Sequence, residues 1–152
     1  MPVGVGWHPY FQLSDAAGGD TIDELQMKMP ESEQVLIDKR MIPTGETNAY
    51  KNFIQYSKIG DTKLDDCFVP AQGGVKEVGV KLWSEKANCG LEIWQDKSYG
   101  FVQLYTPPDR QSIAIEPMSC NINAFQSGDG LTVLAAGESF NGKFGVRLFT
   151  QK

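Results

Sequence analysis

The stretch FVQLYTPPDRQSIAIEP, residues 101–117, carries the clearest structural signal in the sequence. In its first part, Gln103 and Tyr105 share one face of an extended chain, and apolar side chains occupy the other face. Its second part, SIAIEP, places Ile113 and Ile115 together on one face. Period-two alternation is typical of β-strands, so the stretch predicts two strands separated by a proline-containing turn.

The same pattern recurs along the chain, between turns that contain glycine and proline. Further strands are predicted in DELQMKM (23–29), QVLID (34–38), VGVKLW (78–83), GLEIW (90–94), LTVL (131–134) and KFGVRLF (143–149), with SEKANCG (84–90) as a hairpin connection. The stretches SDAAGGD (14–20) and TNAYKNFIQYSKIG (47–60) are predicted to be loops with at most a helical turn. The sequence therefore predicts an all-β fold, an antiparallel sandwich or barrel, in one domain over residues 1–152.

Composition argues against several classes of function. The net charge is −5 and the 14 Lys and Arg residues are scattered, so no nucleic-acid partner is expected. No apolar run is long enough to span a bilayer and no signal peptide is visible, so no membrane partner is expected. Cys67, Cys89 and Cys120 form no C-x-x-C pair, and the chain has one histidine. This predicts no metal site, and three reduced thiols in a cytoplasmic protein.

Glu116 is the first candidate for chemistry. It follows the β-forming residues SIAI, lies on the face opposite the two isoleucines, and precedes Pro117, which is predicted to end the strand. A carboxylate there would project from a rigid element into a site, and the alternative is a solvated position on an exposed sheet face. The only histidine, His8 in GVGWHPYF (4–11), is either a general acid–base partner for Glu116 or a structural residue.

Three further residues suit a polar ligand. An amide and a phenol on one strand face, as at Gln103 and Tyr105, can pair with sugar hydroxyls and cover sugar C–H groups. A cross-strand polar pair on a wet sheet is the alternative for these two residues. Asp65 and Asp66 are adjacent, so on a strand they point to opposite faces, and at most one can share a cleft with Glu116. A turn role is the alternative for the aspartates.

Six segments then follow one another in the order of a known protein family. They are GVGWHPYF (4–11), RMIPTGE (40–46), LDDCFVP (64–70), FVQLYTP (101–107), IAIEPMSCNINAF (113–125), and LAAGESF with FGVRL (134–148). In this order they resemble the aldose 1-epimerase, or galactose mutarotase, family. The resemblance implies a large antiparallel β-sandwich of the galactose mutarotase type, here its C-terminal half. It also implies cofactor-independent interconversion of the α and β anomers of a free hexose.

The family's site residues carry over onto matching positions. By resemblance, His8 is the general acid that protonates the ring oxygen, and Glu116 is the general base on the anomeric hydroxyl. Asp65 and Gln103 match residues that bind sugar hydroxyls, and Asp66 stands where many relatives have histidine. The chemistry of opening and reclosing the sugar ring predicts the imidazole and the carboxylate on opposite sides of the ring, and it needs no metal or redox group.

The chain departs from the family in length, because it matches only the C-terminal half. Relatives also hold the sugar with an Arg or Asn and a second His from their N-terminal half. We therefore expect this chain either to be a fragment that associates with such a half or to form a homo-oligomer, since a truncated sandwich exposes strand edges. A non-catalytic sugar-binding module and an inert fragment remain alternatives to the enzyme.

Overall fold

The computed structural model describes residues 1–13 and 21–150, and the loop predicted at 14–20 lies outside them. The described strands are β1 (Pro2–Val3), β2 (Tyr10–Phe11), β3 (Gln26–Lys28), β4 (Ser32–Ile37), β5 (Pro43–Tyr50), β6 (Ser57–Lys58), β7 (Asp65–Pro70), β8 (Glu77–Ser84), β9 (Cys89–Asp96), β10 (Phe101–Tyr105), β11 (Ile113–Met118), β12 (Thr132–Val133) and β13 (Phe144–Phe149). A 3₁₀-helix spans Ile22–Glu24, and a single α-helical turn, α1, spans Ala124–Ser127.

The strands form two large antiparallel sheets and one small one. The first large sheet has the order β2-β11-β10-β7-β4-β5, and the second has the order β13-β9-β8-β3-β6. The strands β1 and β12 pair by themselves. Buried side chains from both large sheets form one core cluster, so the predicted antiparallel sandwich is confirmed.

The alternation seen in the sequence determines which faces meet in the core. In the first sheet Leu104, Ile113 and Ile115 are fully buried on the inner face. Leu82 and Ile93 from the hairpin of β8 and β9 lie in the same core cluster. The side chains that alternate with these residues along β10 and β11 therefore point to the outer face of the six-stranded sheet, where the candidate site lies. They are those of Gln103, Tyr105, Ala114 and Glu116.

Two predictions of local structure were wrong. Residues 47–50, predicted to be loop, belong to strand β5, and residues 57–58 form β6. The side chains of β5 are mostly exposed, so the strand shows no hydrophobic alternation, and it forms because it pairs with β4. The segment predicted as a strand from residue 23 starts as a 3₁₀-helix. The Asp23 carboxylate there binds the Arg110 guanidinium, with 2.7 Å between Oδ1 and Nε.

The predicted end of the strand at Pro117 was also wrong, because β11 continues to Met118. Proline lacks an N–H donor, but the Pro117 carbonyl accepts a hydrogen bond from the Trp7 N–H at 3.1 Å. Glu116 therefore lies inside a paired strand. Among the described residues, no helix has the length and apolar character needed to cross a membrane.

Candidate active site

The outer face of the six-stranded sheet carries a row of three side chains from neighbouring strands. Gln103 on β10 lies directly opposite Glu116 on β11 and, on its other side, opposite Cys67 on β7. Residues directly opposite each other in antiparallel strands have Cβ atoms about 5 Å apart. The backbone register alone therefore places the amide beside both the carboxylate and the thiol.

A second row of side chains crosses the same face, two positions away from the first row along each strand. It consists of Asp65, Tyr105, Ala114 and Tyr10, from β7, β10, β11 and β2 in that order. Ala114 is fully buried although it faces outward, and its two neighbours in the row are tyrosines. The two rows together bring Asp65, Gln103, Tyr105 and Glu116 to one surface, as expected if all four serve one ligand.

His8 reaches this surface because the chain before it pairs with the end of β11. The Ser119 N–H donates to the Val5 carbonyl at 2.8 Å, and the Val5 N–H donates to Ser119 Oγ at 2.8 Å. Gly6 forms an isolated antiparallel bridge with Met118. These contacts join residues more than a hundred positions apart and align the first segment of the chain beside Glu116.

Aromatic packing at Trp7 also holds the segment that carries His8. The Trp7 ring stacks on Phe144 with 5.2 Å between ring centroids, and it meets the edge of Phe11 at 6.0 Å. The next residue but one, Pro9, restricts its own φ and favours an extended conformation at His8. The segment is therefore fixed on both sides of the histidine.

The central feature of the site is the contact between His8 and Glu116. His8 Nε2 lies 3.2 Å from Glu116 Oε1, and the two side chains are 60% and 9% exposed. Burial raises the pKa of the Glu116 carboxyl; the nearby His8 opposes this shift, and the negative charge of Asp65 adds to it. The site thus pairs a buried carboxyl that holds its proton more tightly than usual with an exposed imidazole.

Gln103 lies opposite Glu116 on the neighbouring strand and hydrogen-bonds to Asp65. Its Nε2 donates to Asp65 Oδ1 at 3.1 Å, and its Oε1 is buried with no hydrogen-bond partner within the described part of the chain. A buried, unsatisfied acceptor is costly, so this oxygen can accept a hydrogen bond from a bound hydroxyl group. Asp66 points to the opposite face, where its Oδ1 accepts a hydrogen bond from Gln34 at 2.8 Å.

A cleft of about 450 Å³ adjoins the second row. Asp65 and Tyr105 line this cleft, while His8, Gln103 and Glu116 lie outside it. The carboxyl–imidazole pair is therefore at an open surface, and Asp65 and Tyr105, two of the three candidate ligand-binding residues beside it, extend that surface into a concave region.

The segment after β11 covers the other end of the face. Phe101 and Cys67 point outward yet are buried, and the Gly130 backbone lies against the Phe101 ring. A Cβ on Gly130 would come within 2.7 Å of that ring, and its φ of +71° also favours glycine. This segment forms a wall at one end of the site.

Sequence reasoning did not identify Cys67, Ser119 or Tyr10 as neighbours of the site. Burial, with the charges of Asp129 and Glu116, raises the pKa of the Cys67 thiol to about 12. That thiol stays protonated and is a poor nucleophile. For Tyr10 a local signal existed, because residues two apart in an extended H-P-Y segment share a face. Among residues 1–13 and 21–150, no group of three or more His, Cys, Asp or Glu side chains could hold a metal ion.

Comparison with known proteins identifies this kind of fold and the family. The chain superimposes on the galactose mutarotase/aldose epimerase homologue from C. elegans with a TM-score of 0.81 and 20% identity, covering 100% of this chain and 53% of that one. A galactose mutarotase-like protein from Clostridium acetobutylicum superimposes with a TM-score of 0.79 and 20% identity, covering 98% of this chain and 48% of that one. These likenesses define a mutarotase-like β-sandwich.

Sequence comparison is more specific. The family model for aldose 1-epimerase matches residues 1–147, so the chain belongs to the aldose 1-epimerase family. The uncharacterized protein YihR of Escherichia coli K12 is 31% identical over 145 residues, which cover 90% of this chain and 43% of that protein. The chain thus spans about half the length of the relatives it matches.

Proposed function

We propose that this protein interconverts the α and β anomers of a free hexose. The observation that carries the proposal is the 3.2 Å contact between His8 Nε2 and Glu116 Oε1, in which the carboxyl is buried and its pKa is raised. A carboxylate that holds a proton more tightly than usual is a better base near neutral pH. Membership of the aldose 1-epimerase family supports the same reaction.

The proposed reaction moves two protons and breaks one C–O bond. Glu116 takes the proton from the anomeric hydroxyl, O1, as the bond from C1 to the ring oxygen, O5, breaks, and His8 gives a proton to O5. The open aldehyde turns about the C1–C2 bond, and the ring closes with the two roles reversed. Each proton transfer of this kind contributes about 10²–10⁴-fold in rate.

The contact between the two groups changes the expected arrangement. His8 and Glu116 lie side by side, whereas the reaction chemistry predicted groups on opposite sides of the sugar ring. Because O1 and O5 are bonded to the same carbon, one edge of the sugar can present both atoms to two adjacent side chains. We therefore propose that the sugar binds with its C1 edge toward the pair.

The remaining polar residues are proposed to hold the sugar hydroxyls. Gln103 offers its buried Oε1 as an acceptor, and Asp65 Oδ1 already accepts a hydrogen bond from Gln103 Nε2. Asp65 and Tyr105 continue into the adjoining cleft, so they are placed to contact the part of the sugar farther from C1. Hydroxyl groups can donate and accept, which matches a set of amide, carboxylate and phenol partners.

Polarimetry on freshly dissolved α-D-glucose or α-D-galactose tests the proposal. We expect the wild-type protein to speed the approach to anomeric equilibrium, and Glu116→Gln to abolish this effect. Gln103 and Asp65 remain unchanged in the variant, so sugar binding provides an internal control. A wild-type rate equal to that in buffer would refute the proposed activity.

A non-catalytic sugar-binding module is the second candidate. The observation that favours it is the 60% exposure of the His8 side chain, which leaves the imidazole largely in solvent. For this alternative we expect sugars to raise the unfolding temperature while the rate of anomer exchange stays at the buffer value. The two candidates thus differ in one rate measurement on the same sample.

Association with another chain and a cytoplasmic location also remain proposals. On β13, Val146 and Leu148 continue the inner face of their sheet but are 40% and 82% exposed, which supports coverage of this edge strand by a second copy. Sedimentation should then show a dimer that Leu148→Glu converts to a monomer. The cysteines Cys67, Cys89 and Cys120 are free thiols, which supports a reducing compartment.

A further inference from the structure

Tyr10 lies against the imidazole ring of His8 without a role in the chemistry described above. The two ring centroids are 5.3 Å apart and the ring planes differ by 27°, which is a stacked arrangement. Tyr10 belongs to β2 and lies opposite Ala114, on the same outer face as Glu116. The stack is therefore anchored to the six-stranded sheet.

An exposed imidazole needs contacts to stay in one orientation. The His8 side chain is 60% exposed, and its Nε2 contacts Glu116 Oε1. A side chain with this exposure can take several rotamers, and fixing one of them costs conformational entropy. A second contact on the ring face would select the rotamer that points Nε2 at Glu116.

The sequence H-P-Y explains why the second contact comes from Tyr10. Proline at position 9 favours an extended backbone at His8, and residues two apart in an extended chain lie on the same side. Ala114 is small, so it leaves space above β11 for the Tyr10 ring. The phenol ring can then lie beside the imidazole while half of its own surface stays exposed.

We propose that Tyr10 is a positioning residue that holds the His8 imidazole beside Glu116 by stacking on its ring. The inference rests on the proposed function for its effect on rate. The stack of Tyr10 on His8 can be measured without any turnover.

Because His8 is the only histidine, its ring protons give a single, unambiguous set of NMR signals. A proton above an aromatic face is shifted upfield by the ring current. We expect the His8 signals to lie upfield in wild type and in Tyr10→Phe, and to move downfield in Tyr10→Leu. Unchanged His8 signals in Tyr10→Leu would overturn the proposal, whether or not the protein is an enzyme.

The kinetic arm uses the same variants with α-D-galactose. Tyr10→Leu should lower kcat about 3- to 10-fold with KM little changed, and Tyr10→Phe should keep the wild-type kcat, because the ring face and not the hydroxyl makes the stack. A higher KM at unchanged kcat would overturn the proposal, since Tyr10 would then contact the sugar. An equal loss in Tyr10→Phe would also contradict it. If wild type shows no turnover, the proposed function fails, and the NMR measurement alone decides whether Tyr10 stacks on His8.

Discussion

The two halves of the proposed acid–base pair are held in very different ways. Glu116 lies inside β11, between β10 on one side and the first segment of the chain on the other, and its side chain is 9% exposed. His8 lies between strands on an irregular segment and is 60% exposed. The sheet therefore fixes the base rigidly, while a few tertiary contacts fix the acid.

The fold therefore controls the proton affinity of Glu116 and the position of His8 by different means. A carboxyl inside a paired strand is desolvated, so the fold itself sets its proton affinity. An imidazole at the surface keeps access to water, and its position depends on the Val5–Ser119 hydrogen bonds, the Trp7 packing and Tyr10. Substitutions at the two residues should consequently differ in their effects on rate and on stability.

Glu116→Gln should have the largest effect on rate, a loss of about 10²–10⁴-fold in kcat, because the amide of glutamine cannot accept the proton from O1. The same change should raise the free energy of unfolding at pH 7. The pKa of Glu116 is higher in the folded protein than in the unfolded chain, because burial disfavours the charged form. The native protein therefore loses stability as the pH rises from the pKa of the unfolded state through that of the folded state. Polarimetry and thermal unfolding test the two effects.

The stability gain from Glu116→Gln should disappear below about pH 4, where the carboxyl is protonated in both the folded and the unfolded state. Thermal unfolding of the variant and wild type at pH 4 and pH 7 provides this control. A variant that is less stable than wild type at pH 7 would contradict the view that Glu116 is held at a cost in stability.

His8→Ala should have a smaller effect, a loss of about 10²-fold in kcat, because solvent acids reach the exposed position. Added imidazole should restore part of the rate in this variant and none in Glu116→Gln. Stability should change little, since surface substitutions usually shift it by less than about 0.5 kcal/mol. Equal losses of kcat in His8→Ala and Glu116→Gln, with no rescue of either by imidazole, would contradict the view that the acid is accessible to solvent and the base is not.

Ser119→Ala should weaken the contacts that hold the His8 segment. It removes the Oγ acceptor of the Val5 N–H, so we expect stability to fall by about 1 kcal/mol and kcat to fall a few-fold. Ser98→Ala is a matched control, because Ser98 Oγ also joins two distant segments by a hydrogen bond, in which it donates to the Asn141 carbonyl away from the site. An unchanged kcat in Ser119→Ala would show that the segment is held without this bond.

Asp65→Asn should have the smallest effect on the chemistry, a shift in pH dependence. Asp65 helps to raise the pKa of Glu116, so its neutralisation lowers that pKa and moves the acidic limb of the kcat profile to lower pH. Asp66→Asn should leave the limb in place, because Asp66 faces Gln34 on the other side of the sheet. A limb that does not move in Asp65→Asn would contradict this coupling.

The sequence predicted the parts of the fold that depend on local alternation. The hairpin of β8 and β9 joins Ser84 to Cys89 across a short turn, and the alternation around Gln103 correctly indicated one buried and one outer face. Strand β5 was missed because its side chains are mostly exposed and carry no pattern. Its structure comes from backbone pairing with β4, which side-chain alternation does not reveal.

For the candidate site, the sequence predicted which residues take part but not how they contact one another. The side-by-side contact of His8 with Glu116 depends on bonds between Val5 and Ser119, which are 114 positions apart. No local propensity encodes such pairing. The Gln103–Asp65 hydrogen bond likewise follows from the register of β7 and β10, and the raised pKa of Glu116 follows from burial that only the folded chain creates.

The most direct test of the proposed acid–base pair is exchange NMR of D-galactose at anomeric equilibrium in D₂O, with and without the protein. We predict faster exchange between the α and β signals, with the C1–H and C2–H signals keeping their full intensity. Glu116 and His8 move only oxygen-bound protons in this account, so no carbon-bound hydrogen is replaced by deuterium. Exchange no faster than in buffer, or loss of the C2–H signal, would contradict it.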